Sequence, residues 1–313
     1  MNKAPKNVPN LETEFCGLRL SNPIIASSGT FGYGLEFEKI VDLDALGGFV
    51  VKGLSLEPID GNPPPRLVET ASGMLNSIGL QNVGVRAFVA EKLPKLAKLD
   101  TSVFANVFGY QPEDYVEVIR VLEDAEGLAG YELNVSCPNT KHGGMQFAAD
   151  PALLSEVVRL AKKAAQRRPL IVKLSPNVTD IALMGRAAEE AGADAISLVN
   201  TFVGLAIDAR QRRPMLGAGF GGLSGPAIKP IALRMVYQVS QAVRVPVIGM
   251  GGITNGEDVA EFLECGAVAA QVGTATFWDP QTPLRLVKEF RRFLEKQKIT
   301  SASELVGTLR IEN

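Results

Sequence analysis

The chain has 313 residues, 46% of them hydrophobic and 21% charged, and a formal net charge of -2 at pH 7. This composition is typical of a globular protein, and the near-neutral charge argues against nucleic acid as a main partner. The three cysteines, Cys16, Cys137 and Cys265, form no C-x-x-C pair, so no zinc or iron–sulfur site is indicated, and their odd number suits a reducing cytoplasm.

The N-terminal sequence does not resemble a targeting signal. No apolar run approaches the length of a membrane span, and no apolar signal segment follows the first residues. We therefore expect a cytoplasmic protein without a membrane segment or a metal site, and a short loose tail over residues 1–10. Residues 12–20 are then typical of a small hairpin with its turn near Gly17.

Beyond the hairpin, short apolar segments alternate with amphipathic ones. The predicted strands are residues 23–26, 48–52, 103–106, 131–134, 170–173, 195–200, 245–249 and 267–272. The predicted helices are residues 36–41, 85–96, 112–124, 151–166, 179–191, 228–242, 256–265 and 283–296. Eight strand-then-helix units predict an α/β protein, a single (β/α)8 TIM barrel domain over residues 1–313.

Two connections, residues 53–84 and 201–225, are too long to be plain loops and are expected to cover or build a site. The second contains the string G-x-G-x-x-G at residues 217–222. That string does not join a strand directly to a helix, so it does not predict a dinucleotide site. We interpret it as a mobile or closely packed backbone segment.

The predicted strand ends are rich in polar residues and glycine. In barrels of this kind the chemistry lies at the C-terminal strand ends. The eight ends carry Ser27-Ser28-Gly29, Lys52-Gly53, Asn106, Asn134, Lys173, Asn200-Thr201, Gly249 to Gly252, and Gly273-Thr274. Any one of them could be an ordinary turn or a solvated end, but together they predict a site. The glycines after strands seven and eight predict a phosphate site, with simple tight turns as the alternative.

Cys137 follows the fourth predicted strand in the sequence Asn134-Val135-Ser136-Cys137-Pro138-Asn139. Pro138 ends the strand, and Gly143-Gly144 give the next segment a flexible hinge. A free cysteine is most often a small buried core residue. Here the thiol lies just past a strand end between two carboxamides, which makes it a candidate for chemistry. His142, the only histidine, is interpreted as a lid or solvent residue.

These residues resemble class 1 dihydroorotate dehydrogenases over nearly the whole chain. The motifs are residues 76–82 (NSIGLQN), 134–139 (NVSCPN), 173–177 (KLSPN), 200–201 (NT) and 249–253 (GMGGI). The resemblance implies a barrel flavoprotein that binds FMN and oxidises dihydroorotate to orotate in pyrimidine biosynthesis. The chain is similar to the NAD-dependent class 1B at residues 13–23 and 27–32. It also lacks the N-terminal extension and the serine base of the membrane-associated class.

The resemblance implies a role for each matching residue. Cys137 takes the proton from C5, FMN takes the hydride from C6 at N5, and Lys173 lies near N1 of the flavin. The implied substrate residues are Lys52, Asn76, Ser77, Ile78, Gly79, Leu80, Asn134, Asn200 and Thr201. The implied FMN residues are Ser28, Lys52, Gly53, Asn106, Asn134, Lys173, Val199, Gly225, Gly251, Gly252, Gly273 and Thr274.

The resemblance also implies partners. It predicts a homodimer within a heterotetramer, whose second subunit carries FAD and a [2Fe–2S] cluster and passes electrons to NAD. The alternatives are a fumarate-linked class 1A enzyme, a flavoprotein like dihydropyrimidine dehydrogenase, and a non-redox phosphate-binding barrel or inactive binding module. The last of these leaves Cys137, Lys52 and Lys173 without a joint purpose.

Overall fold

The computed structural model describes residues 8–136 and 147–311, and its centre is a closed barrel of eight parallel strands. Barrel strands one to eight are Ile24–Ala26, Gly48–Val50, Ser102–Val107, Gly130–Asn134, Leu170–Lys173, Ala195–Leu198, Val247–Met250 and Ala267–Val272. Each strand pairs with its neighbours in chain order, and strand eight closes on strand one, with Ala270 opposite Ile24. The predicted (β/α)8 barrel is confirmed.

Helices follow the strands as the periodicity predicts. They are Val85–Ala87, Phe88–Lys92 and Leu93–Leu96 in one continuous stretch, then Pro112–Glu123, Pro151–Ala164, Ile181–Glu190, Lys229–Ser240, Gly256–Glu264, Ala275–Trp278 and Thr282–Gln297. Short 3₁₀ turns lie at Leu35–Phe37, Leu43–Ala45, Pro226–Ile228 and Ala302–Leu305. The last long helix shows the pattern well, because Leu286, Phe290 and Leu294 recur at four-residue spacing on its buried face.

The predicted helix at residues 36–41 is wrong. Only the 3₁₀ turn Leu35–Phe37 forms there. Glu36 instead accepts a hydrogen bond from the backbone N–H of Tyr33 at 2.9 Å, and the ring of Phe37 stacks on Phe31 with centroids 4.2 Å apart. A six-residue segment gains too few helical hydrogen bonds to offset the cost of nucleating a helix, so these tertiary contacts decide its shape.

The two long connections meet in one four-stranded antiparallel sheet, here called the excursion sheet. Its strands are Leu67–Thr70 and Gly73–Asn76 from the first connection, and Phe202–Leu205 and Phe220–Ser224 from the second. The two connections join where Gly222 pairs with Asn76 and Ser224 with Met74. A second small pair, Ile207–Asp208 with Arg213–Pro214, extends the second connection.

The G-x-G-x-x-G string runs into this sheet, and its last two glycines are closely packed. A Cβ atom on Gly222 would lie 2.0 Å from Oγ1 of Thr201, and one on Gly221 would lie 2.7 Å from the carbonyl oxygen of Asn76. The string leads into an antiparallel strand instead of joining a strand to a helix. Its glycines therefore allow backbone segments to approach each other.

An apolar cluster fills the N-terminal half of the barrel interior. It consists of Phe15, Leu20, Ile25, Val50, Phe104, Ile171, Ala195, Ile248 and Ala269. The first two come from the predicted hairpin, which forms as Thr13–Phe15 paired with Leu18–Leu20. The hairpin thus closes that end of the barrel, and the opposite end is left for the polar residues.

The ends of the described chain are anchored. Asn10 donates its backbone N–H to Thr300 O at 2.8 Å and accepts from the backbone N–H of Ala302 at 2.9 Å, so it is not part of a loose tail. Residues 1–7 lie outside the described residues. Within residues 8–136 and 147–311, no helix combines the length and the apolar character needed to cross a membrane.

Candidate active site

A layer of polar side chains, here called the polar layer, lies inside the barrel on the C-terminal side of the apolar cluster. Side chains two positions apart on a strand share a face. Four apolar residues of the cluster are therefore followed, two residues later, by an inward polar one. The pairs are Phe104 and Asn106, Ile171 and Lys173, Ala195 and Ser197, and Ala269 and Gln271. The alternation places these four polar side chains at the C-terminal half of the barrel.

Glu132, on strand four, joins this layer and is fully buried. Its Oε1 accepts hydrogen bonds from Asn106 Nδ2 at 2.8 Å, Lys173 Nζ at 3.3 Å and Ser28 Oγ at 3.4 Å. Its Oε2 accepts from Ser197 Oγ at 3.1 Å and Gln271 Nε2 at 2.6 Å. Three of the predicted flavin residues, Ser28, Asn106 and Lys173, therefore converge on one carboxylate.

Glu132, Ser197 and Gln271 are not among the site residues predicted from the sequence. A signal for Glu132 was present, because it is the one charged residue in the otherwise uncharged strand Gly130–Asn134. Buried glutamates are rare unless they are paired, so a glutamate in such a strand predicts a partner. The partner, Lys173, lies on the adjacent strand, and the two form a buried ion pair.

The predicted asparagine pocket is assembled from strands four and six and the excursion sheet. Asn200 Nδ2 donates to Asn134 Oδ1 at 3.4 Å, and the backbone N–H of Thr201 donates to Asn200 Oδ1 at 2.9 Å. Asn76 Nδ2 donates to the carbonyl of Gly222 at 3.1 Å, and Gly222 packs on Thr201. These carboxamides therefore surround one region at the strand ends.

Asn177 is also not among the predicted site residues, although it belongs to one of the motifs. Its Nδ2 donates to Thr201 O at 3.0 Å, and its Oδ1 accepts from the backbone N–H of Val203 at 3.0 Å. It thereby ties the loop after strand five to the start of the excursion sheet. We infer that Asn177 supports the backbone that carries Asn200 and Thr201.

The segment from Ser77 to Leu80 continues directly from Asn76 and has a specific backbone shape. Gly79 and Leu80 both have positive φ, 74° and 57°. A Cβ atom on Gly79 would lie 2.4 Å from the backbone nitrogen of Asn62, which explains why glycine is needed there. The backbone N–H of Asn62 donates to Ile78 O at 3.0 Å, and its Nδ2 donates to Ser77 Oγ at 2.8 Å.

Lys52, just after strand two, is a half-buried cation. Burial lowers the pKa of its ammonium group, and the nearby charge of Arg66 lowers it further. Among the residues that the structure describes, no oxygen accepts a hydrogen bond from this ammonium. Gly53 follows it, and a Cβ atom there would lie 3.0 Å from Asn106 Oδ1. A half-buried lysine beside a second cation is well suited to an anionic ligand.

The ends of strands six, seven and eight converge with little side-chain bulk. A Cβ atom on Gly252 would lie 2.8 Å from Gly225 O, whereas one on Gly273 would meet nothing closer than 3.7 Å. Thr274 Oγ1 donates to Ser224 Oγ at 2.8 Å. A Cβ atom on Gly251 would lie 3.4 Å from the side chain of Val199. The backbone at Gly273 is therefore only loosely packed and carries no side chain, which fits the approach of a phosphate group.

The predicted base Cys137 and the predicted lid residue His142 lie outside the described residues. The described chain stops at Ser136, whose backbone N–H donates to Asn134 Oδ1 at 3.2 Å. The hydroxyl of Ser136 is buried and has no hydrogen-bond partner among the described residues. Cys137 thus follows, in sequence, a residue that is bonded to the asparagine pocket.

The chain matches one family model and named relatives over nearly its whole length. Residues 10–294 match the family model described as dihydroorotate dehydrogenase. A relative from Solibacter usitatus, named putative dihydroorotate dehydrogenase A (fumarate), is 70% identical over 96% of this chain and 99% of its own length. Relatives from Citrifermentans bemidjiense and Pelobacter propionicus are each 53% identical over 97% and 96% of this chain, and each aligns over 99% of its own length. Both are named dihydroorotate dehydrogenase B (NAD(+)), catalytic subunit.

Proposed function

We propose, since the chain belongs to the dihydroorotate dehydrogenase family, that it oxidises dihydroorotate to orotate with bound FMN and passes the electrons to NAD through a partner subunit. The reaction is a step of pyrimidine biosynthesis. The observation that carries the proposal is the convergence, at one end of a closed barrel, of Lys52, the Lys173–Glu132 pair and the carboxamides of Asn134 and Asn200.

The residues present fit FMN. Bare backbone at Gly225, Gly252 and Gly273 suits its phosphate, and the polar layer offers donors for its ring. FMN, when bound, supplies the acceptor for the hydride that leaves C6 of dihydroorotate. The proposed FMN residues are Ser28, Lys52, Gly53, Asn106, Asn134, Lys173, Val199, Gly225, Gly251, Gly252, Gly273 and Thr274.

The carboxamides match the chemistry of the substrate. Dihydroorotate carries ring amides and a carboxylate, and asparagine side chains both donate and accept. Asn76, Asn134 and Asn200 would therefore bind the ring, while the ammonium of Lys52 pairs with the carboxylate. The backbone from Ser77 to Leu80, together with Thr201, would close the pocket.

Cys137 is the proposed base. The C5–H bond breaks with the proton passing to the sulfur, and the electron pair left behind forms the ring double bond as the hydride leaves C6. A free thiol has a pKa of about 8.5, so a modest fraction is ionised near neutral pH and a favourable environment increases it. This role rests on the family motif, since Cys137 lies outside the described residues.

The acceptor is proposed to be NAD, reached through a second subunit that carries FAD and a [2Fe–2S] cluster. The one G-x-G-x-x-G string of this chain lies in the excursion sheet without the strand-to-helix context of a dinucleotide site. An NAD-linked reaction would therefore need another chain. The names of the B-type relatives also support a catalytic subunit.

A second candidate acceptor is fumarate, which the name of the Solibacter relative favours at 70% identity. Under that alternative the chain would need no electron-transfer subunit, because fumarate would be reduced at the same flavin. Both candidates share the same half-reaction with dihydroorotate, so they differ only in how the reduced flavin is reoxidised.

We also propose a homodimer in the cytoplasm, on which a heterotetramer would be built. The outer part of the excursion sheet carries an apolar patch, consisting of Val203, Leu205 and Phe220, that is 45% to 66% exposed. Leu205 and Phe220 are direct neighbours on paired strands. Clustered exposed apolar residues mark interaction surfaces, and a second copy of this chain is the occupant that the family resemblance implies.

The test begins with the visible spectrum of the purified chain. We expect flavin absorbance that bleaches when dihydroorotate is added without oxygen. The reduced protein is then mixed with fumarate, with NAD, or with NAD and the partner subunit, and reoxidation is followed. Rapid return of the flavin absorbance only with NAD and the partner supports the proposed acceptor.

Other results would redirect or overturn the proposal. Rapid reoxidation by fumarate alone would replace NAD with fumarate, and rapid NADH formation by the chain alone would remove the need for a partner. A colourless protein, or a flavin that dihydroorotate does not bleach, would contradict the proposed reaction and favour a non-redox barrel.

A further inference from the structure

We propose that Glu132 is a positioning residue for the flavin, acting through Lys173, and that its carboxylate lowers the reduction potential of bound FMN. This inference rests on the proposed function only in assuming that FMN binds near Lys173. Glu132 itself lies in the polar layer, where it contacts four other inward side chains and Ser28.

The first support is the geometry of the hydrogen bonds. All five contacts of Glu132 are donations to its two oxygens, so the group acts as a carboxylate. The donors come from five other segments of the barrel, those of strands three, five, six and eight and the loop after strand one. Because a carboxylate only accepts, Asn106 and Gln271 must both turn their NH₂ groups toward it. Glu132 therefore determines which way both side-chain amides face.

One consequence of that orientation points to a ligand. With its Nε2 on Glu132, Gln271 keeps Oε1 buried and without a partner among the described residues. Gln271 is 1% exposed, so this oxygen cannot be satisfied by bulk water. Buried acceptors are rarely left unpaired in folded proteins. The side-chain oxygen of Gln271 therefore remains available to accept a hydrogen bond from a ligand, and its orientation depends on Glu132.

The second support is electrostatic. Lys173 and Glu132 have side chains that are 6% and 0% exposed, and their charged atoms lie 3.3 Å apart. Such a pair is costly to bury and is often no more stable than an apolar replacement, so stability alone is a weak reason for it. The negative charge opposes the positive charge of Lys173 at the place where the proposed flavin gains electrons. It therefore makes reduction of the flavin less favourable than Lys173 alone would.

The decisive variant is Glu132→Gln, which keeps the shape and removes the charge. With FMN bound, we expect the equilibrium constant for its reduction to rise at least tenfold, which is about 30 mV for a two-electron couple. The measurement is equilibration with a redox dye and a general chemical reductant, so dihydroorotate is not needed. A matched control is Glu123→Gln. Glu123 is also largely buried and accepts from Tyr131 Oη at 2.8 Å, but on the outside of the barrel.

A double variant tests whether Glu132 acts through Lys173. Lys173→Gln should lower the potential, and adding Glu132→Gln to it should raise the potential less than in the wild-type background, because Glu132 then no longer holds the ammonium and only its own charge still acts on the flavin. A merely structural role would alter stability in both backgrounds and would give no such dependence. The double variant also removes both buried charges together, so it is expected to fold even if the single variant does not.

Each result decides the proposal. A raised potential in Glu132→Gln that is smaller in the Lys173→Gln background supports it. An unchanged or lowered potential overturns it, measured in Glu132→Gln or, if that variant does not fold, in the double variant compared with Lys173→Gln. Failure of the proposed function is distinguishable, because it appears as an unmodified chain that binds no flavin or is not reduced by dihydroorotate.

Discussion

Among single residues, burial holds two of the three cysteines, Cys16 and Cys265, in their protonated form. Burial raises the pKa of Cys16 and of Cys265 to about 11, and nearby carboxylates act in the same direction. Cys16 also donates its thiol to Asp194 O at 3.1 Å. Both thiols are therefore held protonated near neutral pH, as is usual for free cysteines that serve as small core residues, and Cys137 is left as the candidate for chemistry.

The corresponding prediction concerns Cys137→Ala. We expect the variant to retain FMN and orotate but to reduce its flavin with dihydroorotate about 10²–10⁴ times more slowly, since removal of a general base typically costs that much. Anaerobic stopped-flow spectroscopy in a single turnover gives the rate. Cys265→Ala is the matched control and should reduce its flavin near the wild-type rate. Cys137→Ser should be slow, because a hydroxyl ionises far less readily than a thiol, and a wild-type rate in Cys137→Ala would remove the base assignment.

At the scale of elements, the helix Gly256–Glu264 supports the glycine turn after strand seven. It begins with a capping box in which Asn255 Oδ1 accepts from the backbone N–H of Asp258, and Asp258 Oδ2 accepts from that of Asn255. Lys229 Nζ donates to Asp258 Oδ1 at 2.6 Å and to Glu261 Oε2 at 2.7 Å. These bonds tie the preceding helix, Lys229–Ser240, to this one and so hold the turn between them.

The pKa of Asp258 makes this junction sensitive to acid. Burial raises the pKa of the carboxyl, but hydrogen bonds from Lys229 and Thr254 outweigh burial and hold it below its ordinary value. A lowered folded-state pKa means that the unfolded chain binds more protons in acid. The stability that Asp258 contributes is therefore fully present above its unfolded pKa of about 3.9 and is lost as the pH falls through the lower folded-state value.

We therefore predict that Asp258→Asn lowers the free energy of unfolding at pH 7 by about 1–3 kcal/mol, because charged hydrogen bonds are lost. The difference from wild type should shrink as the pH falls below about 4, because the carboxyl of the unfolded wild-type chain then binds a proton that the folded one binds only at lower pH. Urea unfolding at pH 7 and below about pH 4 measures the difference in unfolding free energy between the variant and the wild type. Glu257→Gln, an exposed change in the same helical turn, should cost less than about 0.5 kcal/mol at either pH. A cost for Asp258→Asn that does not depend on pH would contradict the assignment.

On the scale of the whole molecule, the excursion sheet has two surfaces with different roles. One side faces the strand ends, where Asn76 and Thr201 contribute to the asparagine pocket. The other carries the exposed side chains of Val203, Leu205 and Phe220. A dimer formed through that patch would bury apolar surface next to the site and stiffen the sheet that covers it.

The prediction is that Leu205→Glu/Phe220→Glu converts the proposed dimer to a monomer. Two like charges would be forced together in a surface that must lose its water on association. Sedimentation velocity of the flavin-loaded protein at micromolar concentration measures the change. Leu309→Glu is the control, because Leu309 is 40% exposed and pairs with Glu264 near the N-terminal end of the barrel, away from the sheet. A double variant that remains dimeric would place the interface elsewhere.

The sequence by itself determined the barrel and indicated most of the candidate site residues. Strands and helices are local periodic patterns, and parallel strands separated by helices close in chain order, so polar strand ends such as Asn106, Asn134 and Lys173 necessarily share one rim. The family motifs also depend only on consecutive residues. For these reasons the fold, the glycine turns and the asparagine pocket could be predicted without coordinates.

Only the tertiary structure decided how distant segments combine. Residues 73–76 pair with residues 220–224 although nearly 150 positions separate them, and no local pattern encodes that register. The strand around Glu132 is buried on both faces, so alternation does not show which side chains point inward. The five donors that make Glu132 central come from five other segments of the chain. Their convergence arises from barrel closure, a property that no single stretch of sequence contains.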